Sequence, residues 1–140
     1  MKNDQGELPP HDPPQSGAEL LVGYAIDLHD PSGTASVTLN IAAKHRNRNG
    51  TLHGGIHAMM LDAACGFAAS RFLAGQGALV PVMTLSLNTN YVAAVAEGLV
   101  TAKGTVTGGG HKIVYATAQM LDAEGRVLSS ASGVFKRAGK

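Results

Sequence analysis

Leu52-His53-Gly54-Gly55-Ile56-His57-Ala58-Met59-Met60-Leu61-Asp62-Ala63-Ala64-Cys65-Gly66-Phe67-Ala68-Ala69-Ser70-Arg71-Phe72-Leu73 is almost wholly apolar, opens on a glycine pair and carries a single carboxylate, Asp62, in its middle. It lacks a polar face broad enough for a surface helix, so it reads as a long helix surrounded by protein. Thr51 is the expected cap at its start, and Gly75 and Gly77 mark its end. A carboxylate in such a helix must be paired, hydrogen-bonded or kept for chemistry, because burying an isolated charge costs far more than packing returns. Asp62 is therefore the first candidate functional residue.

Working outward, Val22 to His29 and Thr34 to Ile41 are strand-like and flank the turn Asp30-Pro31-Ser32-Gly33, which suggests a hairpin. Ala42 to Gly50 is polar and basic, an exposed connection into the helix. After the helix, strand-like runs at Val82 to Val95, Leu99 to Thr107, Ile113 to Leu121 and Val127 to Lys136 predict an antiparallel meander. In the first of these Met83, Leu85, Leu87 and Tyr91 alternate with Thr84, Ser86, Asn88 and Asn90, which predicts that the apolar set is buried. The fold class is α+β, one long helix against an antiparallel sheet. Residues 1–17 hold four of the six prolines and read as a flexible arm, leaving 18–140 as a single domain.

The chain has 140 residues, with 11 basic against 10 acidic side chains and 15% charged residues. That balance argues against a general nucleic-acid binder and against a disordered chain. So low a charged fraction suggests that partner subunits cover part of the surface. Cys65 is the only cysteine, so no intrachain disulfide framework exists and a cytoplasmic location is expected. The central helix, interrupted by His57, Asp62 and Arg71, is a poor membrane span. No membrane partner is expected.

If the helix begins near His53, the N–H groups of Gly54 and Gly55 fall in its first turn, where no intrahelical acceptor exists and the helix dipole is positive. Such donors can hold an oxyanion, and a bare backbone lets a ligand carbonyl come close. The same glycine pair would also serve tight packing of helix on sheet. Asp62 follows Gly54 by eight residues, about 12 Å along one helix. A carbonyl that must lie about 3 Å from both groups can do so only where two copies of the helix meet. If both groups act together, the site is shared between subunits.

Asn47, His53-Gly54-Gly55 and Asp62, nine residues after His53, resemble the signature of the hotdog-fold acyl-CoA thioesterases of the phenylacetate-pathway (PaaI-like) type. The resemblance runs from Val22 to Lys136. It implies a long helix wrapped by a curved antiparallel sheet, paired into homodimers and often homotetramers. It implies that Asp62 is the catalytic carboxylate, acting as general base on water or as nucleophile, with the Gly54 N–H and the Asn47 amide polarising the thioester carbonyl. Thr84 matches a hydroxyl position that in related enzymes helps to place the water or the acid. His53 matches the motif histidine, and with Gly55 it is expected beside the substrate, although a histidine there can equally bond the backbone.

The Gly108-Gly109-Gly110-His111-Lys112 turn offers backbone donors and basic side chains, so Gly110, His111 and Lys112 are candidates for the coenzyme A phosphates, with a plain hairpin as the alternative. Arg46, Arg48, Lys136 and Arg137 are weaker candidates. His57 is expected to pack or face solvent, Cys65 to be inert, and no metal-ligand grouping is visible. The function so indicated is hydrolysis of an aryl, arylacetyl or medium-chain acyl-CoA without metal or redox cofactor. The alternatives are a non-catalytic acyl-CoA binding or sensing protein and a hydratase of the same fold.

Overall fold

The computed structural model describes residues 13–139. Ser16 caps a short helix, α1 (Gly17–Val22), its Oγ accepting from the Glu19 N–H while the Glu19 carboxylate accepts from the Ser16 N–H. Of the expected arm, residues 1–12 lie outside the described residues, and Gly17 already belongs to α1. Val22, expected in a strand, ends that helix, and the first strand is only β1 (Ala25–Asp27), paired with β2 (Ala35–Asn40).

The long helix, α2, spans Gly54–Ala74. Thr51 does not cap it. His53 does, its Nδ1 accepting from the Gly55 N–H at 2.8 Å. Thr51 instead donates through its N–H and hydroxyl to Asn47 Oδ1. A loop side chain with a ready acceptor two turns away has no reason to reach the helix start.

After α2 come β3 (Val82–Tyr91), β4 (Leu99–Gly109), β5 (Ile113–Leu121) and β6 (Val127–Arg137). The sheet order is β1-β2-β4-β5-β6-β3, so the expected four-strand meander is corrected: β4, β5 and β6 follow one another, but β3 pairs with β6 at the far edge. The helix lies between β2 and β3 in sequence and across the sheet in space, carrying the chain from β2, next to one edge, to β3 at the other.

The sheet curls over one side of α2, burying Met60, Leu61, Ala64 and Cys65 against Val37, Val100, Val114, Met120 and Phe135. Helix and sheet meet most closely at Gly104. A Cβ there would overlap the Ala64 carbonyl and fall 2.8 Å from Cys65 N, both backbone groups that cannot step aside. Gly104→Ala is therefore expected to lower stability by about 2 to 3 kcal/mol and the melting temperature by roughly 10 °C, read from thermal unfolding. An unchanged melting temperature would show that the helix has slack to lift.

The alternation expected along β3 is also corrected. Register shifts between Thr84 and Ser86 leave Leu85 as an extra, unpaired residue, a bulge that exchanges the two faces. Thr84, opposite Phe135, then shares the helix side with Leu87, Thr89 and Tyr91, opposite Gly133, Ala131 and Ser129. Met83 and Leu85 are about half exposed, at 47% and 53%.

Candidate active site

Asp62 is half-buried, not enclosed, in its own chain, so the surround expected of the helix is not supplied by its own sheet. The sheet covers only one side of α2. On the open side Asp62 lines a groove of about 290 Å³ together with Ala63, Gly66, Phe67, Ser70, Val80, Pro81, Val82 and Thr84. The bulge at Leu85 aims Thr84 at this groove, where its hydroxyl donates to Asp62 Oδ1 at 2.7 Å. Oδ2 has no protein donor among the described residues. One carboxylate oxygen is thus held and the other is left for a water or a carbonyl carbon.

The first turn of α2 has its donors distributed unevenly. The Gly55 N–H goes to His53 Nδ1, and the Ile56 and His57 N–H groups go to His53 O. Among the described residues the Gly54 N–H alone in this turn has no protein acceptor, so of the glycine pair only Gly54 keeps a donor that an oxyanion could take. Packing does not require the glycine either. A Cβ at Gly54 would meet the Tyr91 ring and hydroxyl at 3.4 to 3.5 Å, ordinary contact, whereas at Gly55 it would press on the capping His53 ring at 3.0 Å.

Asn47 stands next to this turn. Its Oδ1 accepts from the Asn49 N–H, the Thr51 N–H and the Thr51 hydroxyl, which fixes the amide so that Oδ1 faces its own loop and Nδ2 is the donor that remains. Asn47 and His53 line a separate surface hollow with Arg46, Arg48 and Asn49. The structure therefore brings Asp62 to Thr84, and Asn47 to His53 and Gly54, but it keeps the two groups apart, about 12 Å along α2.

His111 and Lys112 lie in the β4–β5 turn, where the Gly110 N–H donates to Ile113 O. They share a cleft of about 520 Å³ with Lys136, Arg137 and Gly139. The Arg137 N–H donates to Lys112 O and its Nε to His111 O, so strand β6 gathers cations that the sequence scatters. Lys136 is opposite Met83 and Phe135 opposite Thr84, so this cleft is at the same end of the strands as Thr84, the partner of Asp62.

The Thioesterase superfamily profile matches residues 49–129, more than half of the chain and both halves of this arrangement except Asn47. The chain belongs to the thioesterase superfamily. PA0474 of Pseudomonas aeruginosa, provisionally named an esterase, is 33% identical over 117 residues, covering 82% of this chain and 84% of that protein. The solved structure of the conserved protein PA5202 from the same organism has a TM-score of 0.78 at 31% identity, covering 88% of this chain and 94% of the other. The Escherichia coli PaaI protein of the phenylacetic acid degradation operon shares the fold, with a TM-score of 0.77 at 20% identity over 89% of this chain and 86% of its own. The helix wrapped by a curved sheet is the hotdog fold.

The thioesterase also uses residues that sequence reasoning missed. Tyr91 donates from its hydroxyl to Gly54 O at 2.6 Å, and its ring stands edge-on to His57 at 5.4 Å. His57 is buried, as one of its two expected fates, with Nδ1 2.8 Å from Ser129 Oγ; burial pushes its pKa below the usual histidine range, so it is a neutral strut under the helix start. It points away from the Asp62 groove, which removes the acid and histidine pairing that a hydratase would need. His45, read as part of an exposed connection, is buried, its Nδ1 accepting from the Ala42 N–H and its Nε2 donating to Val22 O. Cys65 is inert as expected: burial, with the nearby Asp62 charge adding to it, pushes the thiol up to about 12. The run Gly108-Gly109-Gly110-His111-Lys112 is the sequence signal for the basic hairpin, and Gly109 takes a φ of 143 there.

Proposed function

We propose that this thioesterase hydrolyses an aryl, arylacetyl or medium-chain acyl-CoA to the free acid and coenzyme A. The observation that carries the reading is the split of its chemistry along one helix: a hydroxyl-held carboxylate opening on an apolar groove, and an unpaired N–H at the helix start about 12 Å away. Asp62 activates a water or attacks the thioester carbonyl itself. The Gly54 N–H and Asn47 Nδ2 of a second subunit stabilise the oxyanion. Carboxylate and backbone donors suffice for hydrolysis, so neither a metal nor a redox cofactor is needed.

A homodimer supplies the missing half. Strand β3 is an edge strand with exposed Met83, Leu85 and Tyr91, and α2 leaves Met59 and Phe72 exposed. Pairing two copies along β3 would cover these apolar side chains and bring the helices together. The middle of the outer sheet face, where Ser86, Asn88, Thr107, Tyr115, Thr117 and Ser132 line a shallow hollow, offers an uncharged patch that supports a further association into a tetramer. No helix among the described residues is long and apolar enough to cross a membrane. The lone buried Cys65 suits the cytoplasm.

The cleft of His111, Lys112, Lys136 and Arg137 is the candidate for the phosphates of coenzyme A. Lys112→Ala with Lys136→Ala should raise KM for acyl-CoA about fivefold to tenfold with little change in kcat. The same pair should leave hydrolysis of the matching N-acetylcysteamine thioester, which has no phosphates, unaltered. Equal losses on both substrates would remove the cleft from the reading. Thiol release from an acyl-CoA panel tests the activity itself; tight binding without release would instead support a sensing protein.

A further inference from the structure

The groove at Asp62 is walled by Phe67, Val80, Pro81 and Val82, and Gly66 lies along its helix side. Gly66 follows Asp62 by four residues and Ser70 by eight, so the three share one helix face over about 12 Å. Ser70 Oγ donates to Val80 O at 2.6 Å, which ties the helix to the segment leading into β3 at the other end of the groove. The result is an open, largely apolar groove that starts at the carboxylate.

Gly66 is the one glycine in the interior of α2. Glycine is a poor helix residue because it loses the most backbone freedom on folding, so its presence in mid-helix needs a cause. Packing within the chain supplies none. A Cβ at Gly66 would stand 3.6 Å from Phe135 Cε1 and 3.9 Å from Val82 Cγ2, ordinary contacts that an alanine would make without strain. At Gly104, by contrast, backbone forbids any side chain. What a methyl at position 66 would take away is room in the groove.

We propose that Gly66 is a specificity-determining residue, a gap in the helix side chains that admits bulky acyl groups of arylacetyl or medium-chain size beside Asp62. The inference rests on the acyl-CoA reading above. A single methyl group is enough to matter, since one methylene of mismatch in an apolar pocket shifts selectivity by about 10-fold to 200-fold.

The test compares wild type with Gly66→Ala on acetyl-, butyryl-, octanoyl- and phenylacetyl-CoA by thiol release, with melting temperature and solution mass measured alongside. The expected result has two opposite signs. The melting temperature is equal or up to about 5 °C higher, because alanine is the better helix residue. At the same time kcat/KM falls by about tenfold or more on octanoyl- and phenylacetyl-CoA, mostly through KM, and by under about threefold on acetyl-CoA. A loss equal across the series would overturn the assignment of Gly66 alone. So would a dissociated assembly, which would make Gly66 a contact between subunits. A wild-type protein that releases thiol from none of the four would overturn the acyl-CoA reading and this inference together.

Discussion

Asp62→Asn is expected to lower kcat by about a thousandfold or more while KM changes little and the melting temperature stays within a few degrees. Asparagine keeps the shape and an oxygen for the Thr84 hydroxyl, which donates to Asp62 Oδ1 at 2.7 Å, so the groove is preserved. It removes the charge that would take a proton from water or form a bond to the carbonyl carbon. Because Asp62 is only half-buried and forms no ion pair among the described residues, its charge contributes little that stability could lose. Steady-state thiol release checks the rate, and thermal unfolding checks the fold. Turnover within tenfold of wild type would end the assignment of Asp62. Single turnover in ¹⁸O-water then tests the role: label in the Asp62 carboxylate marks a nucleophile whose anhydride water opens at the Asp62 carbon, and where label enters only the released acid, trapping with hydroxylamine separates an anhydride opened at the acyl carbon from a general base.

The helix and the placement of its carboxylate were legible because both depend on local features. An apolar run of this length with one carboxylate admits few readings, and the Gly54 to Asp62 separation follows from helix rise alone. The motif resemblance then extended to Thr84, whose hydroxyl does reach Asp62. Non-local features were not legible. Nothing in the composition of β3 says that it pairs with β6 and not with β4, since an antiparallel strand of either neighbour has the same alternation. The bulge at Leu85 is a single extra residue, and it reversed every inside and outside assignment that precedes it relative to those that follow.

Capping failed for a related reason. Thr51 has the better intrinsic preference, but Asn47 had already taken its hydroxyl and N–H, and a histidine ring two residues later was free to serve Gly55. The half-exposure of Asp62 and of the apolar side chains on β3 is a property of one chain with its sheet on one side of the helix. Periodicity reports that a face is apolar, not whether its own sheet or another subunit covers it.

A dimer that joins an Asp62→Asn chain to a Gly54→Pro chain is expected to recover about half of the wild-type activity, although each variant alone is reduced at least about a hundredfold. Proline at position 54 deletes one donor with little other change. Gly54 is the first helical residue, where proline is well accepted, and the preceding His53 has φ −61 and ψ 134, the extended conformation that a following proline favours. Within the chain its Cβ would find only ordinary contact with Tyr91, at 3.4 Å. In the mixed dimer one site combines both lesions and is dead. The other combines the intact Asp62 of the Gly54→Pro chain with the intact Gly54 of the Asp62→Asn chain and is whole. If instead each chain used its own Asp62 and Gly54, both sites would hold one lesion and mixing would restore nothing. Differently tagged chains, co-expressed and purified through both tags, give the heterodimer directly, and its thiol-release rate distinguishes the two arrangements by about fiftyfold. The helix rise favours recovery, because no bend of an unbroken α2 brings its first residue to a carbonyl held at its own Asp62.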